Sequence, residues 1–424
     1  MKILHVAPHL GGGVGKAHAA VSAALPEVVE QTFVLLEAPR DRRFADKIGS
    51  SRARIVVADD LDHVAALAGE ADIVQFEFWN HPRLIECLAR CDFPAMRSMF
   101  WAHISGLAAP LIQPGLIEQA GRFAFTTEAS LSVPAIEQLP AAAKRKLAVI
   151  NSGFGFTGIA RRRPVARKAP VIAYLGTVDF VKMHPGFFDA IDGLIGDVEV
   201  AIWGKADSAV MARAQAMRYP QRIRFCGETT DPATSLAQAD IFFYPLQRGH
   251  YGTAENALVE AMSLGLTAVV LDNPAETAIV RDSDTGFVAR SIEECVSLLQ
   301  MLLLLPDLRD RISHNAVRDI ADNKTAEQSA LEFMILWLGL VSEEPRHCDF
   351  RSVLGDDPAD WYLATRCLPG AAWEKPVVAG KPAKGTLAHF ESVFAGDKSF
   401  ARLDRPSATA RRSQPPAKSE KISA

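Results

Sequence analysis

The sequence predicts an α/β protein of two doubly wound, Rossmann-like domains that face each other across a cleft. Short apolar runs, typical of buried strands, alternate with amphipathic segments, typical of helices. The alternation begins again after a basic, proline-containing stretch at residues 161–170, which we interpret as a linker. Strands that alternate with helices form parallel sheets, which bind ligands at the carboxyl ends of their strands.

The first predicted domain covers residues 1–160. Its helix candidates include residues 16–25, 61–69 and 82–91. Its strand candidates are residues 2–7, 32–36, 54–57, 73–78, 96–102, 123–126 and 147–150. These runs together predict one doubly wound domain.

The second predicted domain covers residues 171–341. Its strand candidates are residues 171–175, 198–203, 223–226, 241–244 and 267–271, and its helix candidates are residues 186–195, 208–217, 254–263, 292–305 and 326–341. Residues 342–404 form a predicted C-terminal extension, in which Leu387, Phe390 and Phe394 have helical spacing. The polar, basic residues 405–424 are predicted to form a disordered tail.

The composition excludes several classes of protein. The 46 Lys and Arg residues nearly balance 50 Asp and Glu, so net charge does not indicate a nucleic-acid-binding protein. The longest apolar stretches, residues 296–305 and 333–341, are shorter than the roughly 20 residues of a spanning helix, so we expect at most peripheral membrane contact. The first strand candidate begins at residue 2 without a secretory signal, so we expect a cytoplasmic location.

The cysteines do not predict a metal site. The six are scattered, and the close pair Cys87 and Cys91 lies in a predicted helix with no second pair to complete a zinc site. We therefore expect buried thiols, with no metal and no cofactor required.

A glycine-rich turn follows the first strand candidate and leads into a helix. It fails the template of a P-loop, because Leu10 replaces the first glycine and Ala17 replaces the hydroxyl residue that binds magnesium. It also fails the dinucleotide fingerprint, because Lys16 stands where the third glycine should be. Two interpretations remain open: a turn that approaches an anionic or polyhydroxyl ligand, and a purely structural tight turn.

A second candidate anion site begins the helix at residues 254–263. With Thr253 as a plausible N-cap, the amides of Gly252, Thr253 and Ala254 would crown a helix that follows a parallel strand, which is typical of a diphosphate site. Glu260 lies further along, in a largely apolar stretch. Its carboxylate either binds ligand hydroxyls, such as those of a ribose, or belongs to an ordinary surface glutamate.

The second half of the chain resembles the donor domain of retaining glycosyltransferases of family four, a branch of the group 1 glycosyltransferases. The resemblance rests on an ordered series of short blocks, of which the Glu-Ala-Met-x-x-Gly block is fairly specific. They are residues 174–182, 225–227, 239–245, 260–265, 269–270 and 284–288. The resemblance extends over roughly residues 1–340, and it implies the two-domain GT-B fold, a nucleoside-diphosphate-sugar donor and a retaining reaction.

The resemblance also implies roles for single residues. Lys182, in the stretch that contains Gly176, would neutralise donor phosphate charge, and Glu260 would bind the nucleotide ribose. Gly12 and Gly13 would support the pyrophosphate from the other side of the cleft. His103 matches a strand-end histidine that contacts the transferred sugar. Without the family context, His103 would be interpreted as a hydrogen-bonded core histidine.

Two departures from the family pattern bear on the donor site. Thr177 replaces a phosphate-binding arginine, and Gly252 replaces a glutamate eight residues before Glu260. Glu255 is not an equivalent substitute, because on a helix it lies about 140° away from the face of Glu260. It could still reach the sugar from the first helical turn.

The sequence therefore predicts a retaining transfer of a hexose-like unit to an acceptor hydroxyl, in glycan or surface polysaccharide biosynthesis. We expect the unknown glycan or lipid-linked acceptor to approach His103 and residues 77–80. The alternative is a catalytically degenerate relative that serves as a sugar-binding or scaffold subunit, and the changes at Thr177 and Gly252 favour that alternative. A nicotinamide-dependent oxidoreductase is a distant third.

Overall fold

The fold consists of two parallel β-sheets, each covered by helices. The computed structural model describes residues 1–39, 41–50, 53–154, 170–250, 252–371 and 385–404. The first sheet has seven strands in the order β3-β2-β1-β4-β5-β6-β7. They are β1 (Lys2–Ala7), β2 (Glu30–Leu35), β3 (Arg54–Val57), β4 (Ile73–Phe78), β5 (Ser98–Ala102), β6 (Arg122–Phe125) and β7 (Leu147–Val149).

The second sheet has six strands in the order β10-β9-β8-β11-β12-β13. They are β8 (Val171–Leu175), β9 (Glu199–Trp203), β10 (Ile223–Gly227), β11 (Ile241–Tyr244), β12 (Thr267–Leu271) and β13 (Gly286–Ala289). Because β4, β5, β8, β11 and β12 are buried along their whole length, their sequences are nearly continuous apolar runs, as parallel strands covered on both faces require. The predicted α/β class with two doubly wound domains is confirmed.

Eighteen α-helices occur in the described residues. Those of the first domain are α1 (Gly12–Ala24), α2 (Arg43–Ser50), α3 (Leu61–Glu70), α4 (Pro82–Arg90), α5 (Pro114–Gln119), α6 (Pro134–Glu137) and α7 (Ala141–Lys144). Those of the second are α8 (Phe187–Asp192), α9 (Ser208–Gln215), α10 (Pro232–Leu236), α11 (Asn256–Ser263), α12 (Pro274–Thr277), α13 (Ile292–Leu304) and α14 (Pro306–Asn323). They are followed by α15 (Ala326–Val341), α16 (Arg351–Leu354), α17 (Pro358–Ala364) and α18 (Leu387–Val393).

The strand order of each sheet creates a crevice at the carboxyl ends of its strands. The order reverses between β1 and β4 in the first sheet and between β8 and β11 in the second. Ligands of doubly wound domains bind at such switch points. The loops after these four strands are therefore the parts of the chain that the fold presents to a ligand.

Helix α15 packs on the first sheet, although chain order led us to assign residues 326–341 to the second domain. Phe333 and Trp337 are buried in a cluster with strand residues of the first sheet. The Phe333 ring lies 4.9 Å from that of Trp101, and the Trp337 indole N–H donates to Gln75 Oε1 at 3.0 Å. The chain therefore crosses back to the first domain after α14.

The C-terminal extension also completes the first domain. Phe350, Trp361 and Phe390 are buried in the same cluster as residues of β4 and α4. The helical spacing at Leu387, Phe390 and Phe394 corresponds to α18, whose N-cap is Thr386. The predicted tail, residues 405–424, and the predicted linker apart from Pro170 lie outside the described residues. Among the described helices, none combines the length and apolar character needed to cross a membrane.

Candidate active site

A cavity of about 650 Å³ lies between the two domains at the carboxyl ends of both sheets. The first domain lines it with Gly13, Val14, Trp79, His103, Thr126 and Ser152, and the second with Gly176, Thr177, Lys182, Gly204, Lys205, Glu228, Tyr244, Gly252, Thr253, Ala254, Glu255, Asn256 and Ala257. Most of the predicted site residues are thus brought together in one cleft. Gly12 and Glu260 lie outside the lining.

The glycine-rich turn after β1 starts α1 close to the second domain. Gly12, the first residue of α1, has φ of 64°, a conformation that favours glycine. A Cβ on Gly15 would lie 1.9 Å from the carbonyl oxygen of Leu10, so this position tolerates no side chain. A Cβ on Gly13 would lie 3.5 Å from Asn256 Nδ2. The helix begins four residues earlier than the predicted start at Lys16, and its positive end lies beside the cleft.

The predicted start of α11 is wrong. The helix begins at Asn256, and its N-cap is Glu255, which has φ of 37° and ψ of 54°. A left-handed conformation is uncommon for a residue with a side chain and is often found at functional sites. Thr253 is not the cap; its hydroxyl is 2.8 Å from that of Thr126 in the first domain. The Gly252 amide donates to His250 Nδ1 at 3.0 Å, so it is not one of the helix amides available to a ligand.

The carboxylate of Glu255 occupies the space beside Gly252. A Cβ built on Gly252 would lie 1.7 Å from Glu255 Oε1. The other oxygen, Oε2, accepts from Lys182 Nζ at 2.9 Å and from the Tyr244 hydroxyl at 2.8 Å. Burial acts to raise the pKa of Glu255, but the charge of Lys182 and the hydrogen bonds outweigh it and lower the pKa. Glu255 is therefore an ionised carboxylate next to the position where the family pattern has a glutamate.

Glu260 is buried and pairs with the other domain. Its side chain is 2% exposed, and Oε1 contacts Nζ of Lys16 on α1. The Lys16 ammonium also lies 4.9 Å from the centre of the Phe154 ring. Burial, together with the charge of Lys47, lowers the pKa of Lys16 to about 8, which still leaves the ammonium mostly charged at neutral pH. The interpretation of Glu260 as an ordinary surface glutamate is wrong.

His103 follows β5 and is held by a buried carboxylate beneath it. Its Nε2 lies 3.3 Å from Oε2 of Glu77, which is fully buried on β4. Burial lowers the pKa of His103, although the Glu77 carboxylate acts to raise it. Glu77 cannot meet an acceptor directly, contrary to our expectation for residues 77–80. Trp79, two residues further on, does line the cavity.

Several histidines approach carboxylates closely enough to suggest a metal site, but their protons argue against one. Nδ1 of His9, His81 and His250 each lies within 3.0 to 3.3 Å of a backbone amide that donates to it. When such a ring is neutral, its proton is then on Nε2. The Nε2 atoms of His9 and His81 lie 3.9 and 3.6 Å from Glu37 Oε1. Nε2 of His250 lies 2.9 Å from Glu276 Oε1. These rings present N–H groups to carboxylates, and an N–H group cannot ligate a metal.

Reasoning from the sequence alone missed two contributors to this region. Lys16 was considered only as a mismatch to the dinucleotide fingerprint, yet it reaches the second domain. Glu77 was considered as a surface for the acceptor, yet it is buried under His103. A signal for Glu77 was available, because a charged residue inside an apolar strand requires hydrogen-bond partners.

The second domain matches a family of known enzymes. Residues 158–319 match the family described as glycosyl transferases group 1. A curated relative, the glycosyltransferase 1 domain-containing protein 1 of Xenopus tropicalis, is 33% identical over 84 residues, which is 20% of this chain. The chain spans about a quarter (24%) of that relative's length.

Solved structures with a similar architecture include glycosyltransferases. HepE of Anabaena, in complex with UDP and glucose, has a TM-score of 0.63 at 14% identity, covering 80% of this chain and 100% of that one. A glycosyltransferase from Rickettsia africae has a TM-score of 0.62 at 12% identity, covering 81% and 99%. The lipopolysaccharide outer core galactosyltransferase WaaB has a TM-score of 0.58 at 14% identity, covering 80% and 99%. The fold of this chain is GT-B.

Proposed function

We propose that the protein is a retaining glycosyltransferase of family four. It transfers a hexose-like unit from a nucleoside diphosphate sugar to a hydroxyl of a glycan or lipid-linked acceptor, in glycan or surface polysaccharide biosynthesis. It acts in the cytoplasm, with at most peripheral contact at the inner face of the membrane, and requires no metal and no cofactor. The observation that carries the proposal is the cleft that combines His103 of one domain with Lys182 and residues 252–257 of the other.

Both domains contribute positive charge that a donor diphosphate needs. Lys182 and Lys205 line the cleft, and the positive end of α1 faces it from the first domain. The Anabaena HepE structures contain UDP and UDP-glucose, which supports a nucleotide-sugar donor here as well. The Glu255 carboxylate pairs with Lys182. We infer that donor phosphate shares or displaces this contact.

The reaction relies on stabilisation of the departing nucleoside diphosphate. As the bond between sugar and phosphate lengthens, negative charge grows on the phosphate oxygens, and the Lys182 ammonium and the α1 dipole stabilise it. His103 holds the sugar from the first domain. Closure of the cleft excludes water that would otherwise hydrolyse the donor. Glu255 is tied to Lys182 and Tyr244, so we assign it to organising the site rather than to forming a covalent intermediate.

A donor panel tests the proposal. We would incubate the full chain with UDP-, GDP-, ADP- and TDP-sugars, measure nucleoside diphosphate release, and determine by NMR whether the anomeric configuration of the product equals that of the donor. We expect turnover with one nucleotide series and a loss of about 100-fold or more in kcat for Lys182→Ala. Leu338→Ala, on the exposed outer face of α15, serves as a control that keeps full activity. Inverted product would overturn the retaining assignment.

The second candidate is a sugar-binding or scaffold subunit without turnover. Thr177 in place of an arginine favours it, because an arginine would bind phosphate through two parallel hydrogen bonds that threonine cannot make. Calorimetry with UDP separates the two candidates. Binding of UDP without release from any donor, hydrolytic release included, would support the subunit and contradict the enzyme.

A further inference from the structure

Nitrogen atoms of four side chains lie close to one buried carboxylate in the first domain. Glu77 is fully buried on β4. Its Oε1 lies 2.8 Å from His5 Nδ1 and 3.0 Å from Gln75 Nε2, and its Oε2 lies 2.7 Å from His18 Nε2 and 3.3 Å from His103 Nε2. These residues come from β1, α1, β4 and the loop after β5. We call them the Glu77 cluster.

The orientation of Gln75 is fixed from outside the cluster. Its Oε1 accepts from the indole N–H of Trp337 at 3.0 Å, so its amide nitrogen must face Glu77 and donate. An ionised carboxylate can accept about four hydrogen bonds and can donate none. The three histidine nitrogens that face Glu77 must therefore each carry a proton. For His103, that nitrogen is Nε2.

The state of His103 follows from its surroundings. Burial lowers the pKa values of both His5 and His103, and the pKa of Glu77 is held well below its usual range because the charge of His18 and the hydrogen bonds from its three histidines outweigh the effect of burial. Near neutral pH, His103 is then a neutral ring with its single proton on Nε2. Its Nδ1 has a lone pair and no hydrogen-bond partner among the described residues, and the ring lines the cleft.

We propose that Glu77 is a positioning residue that keeps His103 in the Nε2–H tautomer, so that Nδ1 accepts a hydrogen bond from a hydroxyl of the bound donor sugar. The identity of the ligand rests on the proposed function, whereas the tautomer rests on the geometry of the cluster alone. Without the Glu77 carboxylate, the ring could exchange between two tautomers, and one of them would turn an N–H group toward the sugar hydroxyl.

The same carboxylate also holds α1. His18 lies one and a half turns into α1, the helix that begins at the glycine-rich turn. Its contact with Glu77 therefore fixes the rotation of that helix about its axis. Glu77 thus aligns two parts of the cleft wall, the His103 ring and the glycine-rich turn, without touching the ligand.

NMR of the full chain with ¹⁵N-labelled histidine tests the proposal. Long-range proton–nitrogen correlations report which ring nitrogen carries the proton, and His103→Gln identifies the His103 signals among the 11 histidines. In the ligand-free protein we expect His103 to have a protonated Nε2 and an unprotonated Nδ1. In Glu77→Gln we expect a mixture of tautomers at His103, with the signals of the exposed His347 unchanged.

Two results would overturn the tautomer assignment: Nδ1–H at His103 in the natural protein, or an unchanged His103 in a folded Glu77→Gln variant. The spectrum of the natural protein decides the first point even if the variant does not fold. Glu77→Gln should also lower kcat by about 10- to 100-fold, the usual effect of losing a group that orients a site residue. A folded variant with full kcat would contradict the positioning role.

Addition of UDP-glucose tests the contact with the donor. We expect the Nδ1 resonance of His103 to move as the sugar hydroxyl donates to it. A resonance that stays in place at a UDP-glucose concentration that raises the Tm would overturn the contact. Failure of all donors to bind or react would instead count against the proposed function, and the tautomer result in the ligand-free protein would stand.

Discussion

Lys16 of the first domain forms an ion pair with Glu260 of the second domain, one turn into α11. The carboxylate is nearly inaccessible to water, so its negative charge depends on a cation that the other domain supplies. If Glu260 binds the nucleotide ribose, as the family resemblance implies, ribose hydroxyls and Lys16 compete for the same oxygens. Donor binding would then weaken or replace this interdomain contact.

Replacing Lys16 with methionine should destabilise the ligand-free protein. The change keeps most of the side chain's length but leaves the Glu260 carboxylate buried without its cation, which costs about 3 kcal/mol or more. Urea unfolding would measure the loss. Lys16→Met combined with Glu260→Gln provides the control, because the double variant has no unpaired charge. A double variant whose loss equals the sum of the single losses would show that the two residues are not coupled.

A methyl group at position 252 should disturb Glu255. Gly252→Ala would place Cβ within 1.7 Å of Glu255 Oε1 and 2.7 Å of His250 Nδ1, so the carboxylate must leave Lys182 and Tyr244. We expect a loss of about 1–3 kcal/mol in the free energy of unfolding. In a Glu255→Ala background, Gly252→Ala should reduce the free energy of unfolding much less, because only the close contact with His250 remains.

Gly49→Ala is the matched control for that substitution. Gly49 lies in α2, where a Cβ would meet no atom within 4 Å, and alanine favours a helix. We expect no loss of stability there. Equal losses at Gly49 and Gly252 would contradict the proposed packing of Glu255.

Stability should fall as the pH drops from 7.5 to 5.5. Burial lowers the pKa values of His5 and His103 in the folded protein, whereas both groups titrate near 6.5 when unfolded. In this range the unfolded chain binds protons that the folded protein does not, so the free energy of unfolding decreases by up to about 1.4 kcal/mol per pH unit for each histidine. The pKa of Glu77 is held low in the folded protein, so its contribution is lost only below about pH 4.5 and does not enter this range.

Urea unfolding at several pH values measures this slope. His103→Gln removes one of the histidines whose pKa is lowered in the folded protein, so its slope should be smaller by about the contribution of one proton. An identical slope in the variant would mean that His103 takes up its proton equally in the folded and unfolded states.

Trp337 should contribute strongly to the stability of the first domain, although it follows the second domain in the chain. Trp337→Ala removes a fully buried ring from the cluster beneath the first sheet, at a cost of about 3–5 kcal/mol. Its neighbour Leu338 is 60% exposed on the same helix, so Leu338→Ala should change stability by less than about 0.5 kcal/mol. Hydrogen exchange would locate the loss, which we expect in strands β1 and β4.

Local sequence patterns predicted most of the strands because most of them are buried along nearly their whole length, and the half-exposed edge strand β3 still contains an apolar Ile-Val-Val run. The runs at β1, β3, β4, β8, β11 and β12 have the predicted bounds. The pattern did not mark β13, a four-residue edge strand, or α14, whose sequence is mostly polar. Both are held by tertiary contacts: β13 pairs with β12 in register, and α14 packs its few apolar residues against the second domain.

The site was predicted in outline but not in its contacts. Glycines and a Glu-Ala-Met block indicated which loops face the cleft, and a structure was needed to reveal the partners of the charged groups. Lys16 and Glu260 are 244 residues apart, and Asn80 meets the carbonyl of Gly385 across 305 residues. Contacts between residues so far apart cannot be inferred from local spacing along the chain. The left-handed Glu255 was also hidden, because glutamate is not a residue that favours that conformation.

The return of the chain to the first domain has a consequence for biosynthesis. Strands β1 to β7 leave the ribosome early, but α15 and the residues around Trp361 and Phe390 that cover their sheet are translated only after the entire second domain. During translation of the second domain, apolar surface of the first sheet therefore stays exposed, and exposed apolar surface favours aggregation. A chain that ends near residue 325 would contain every strand of both sheets but lack α15 and the C-terminal helices that cover the first sheet.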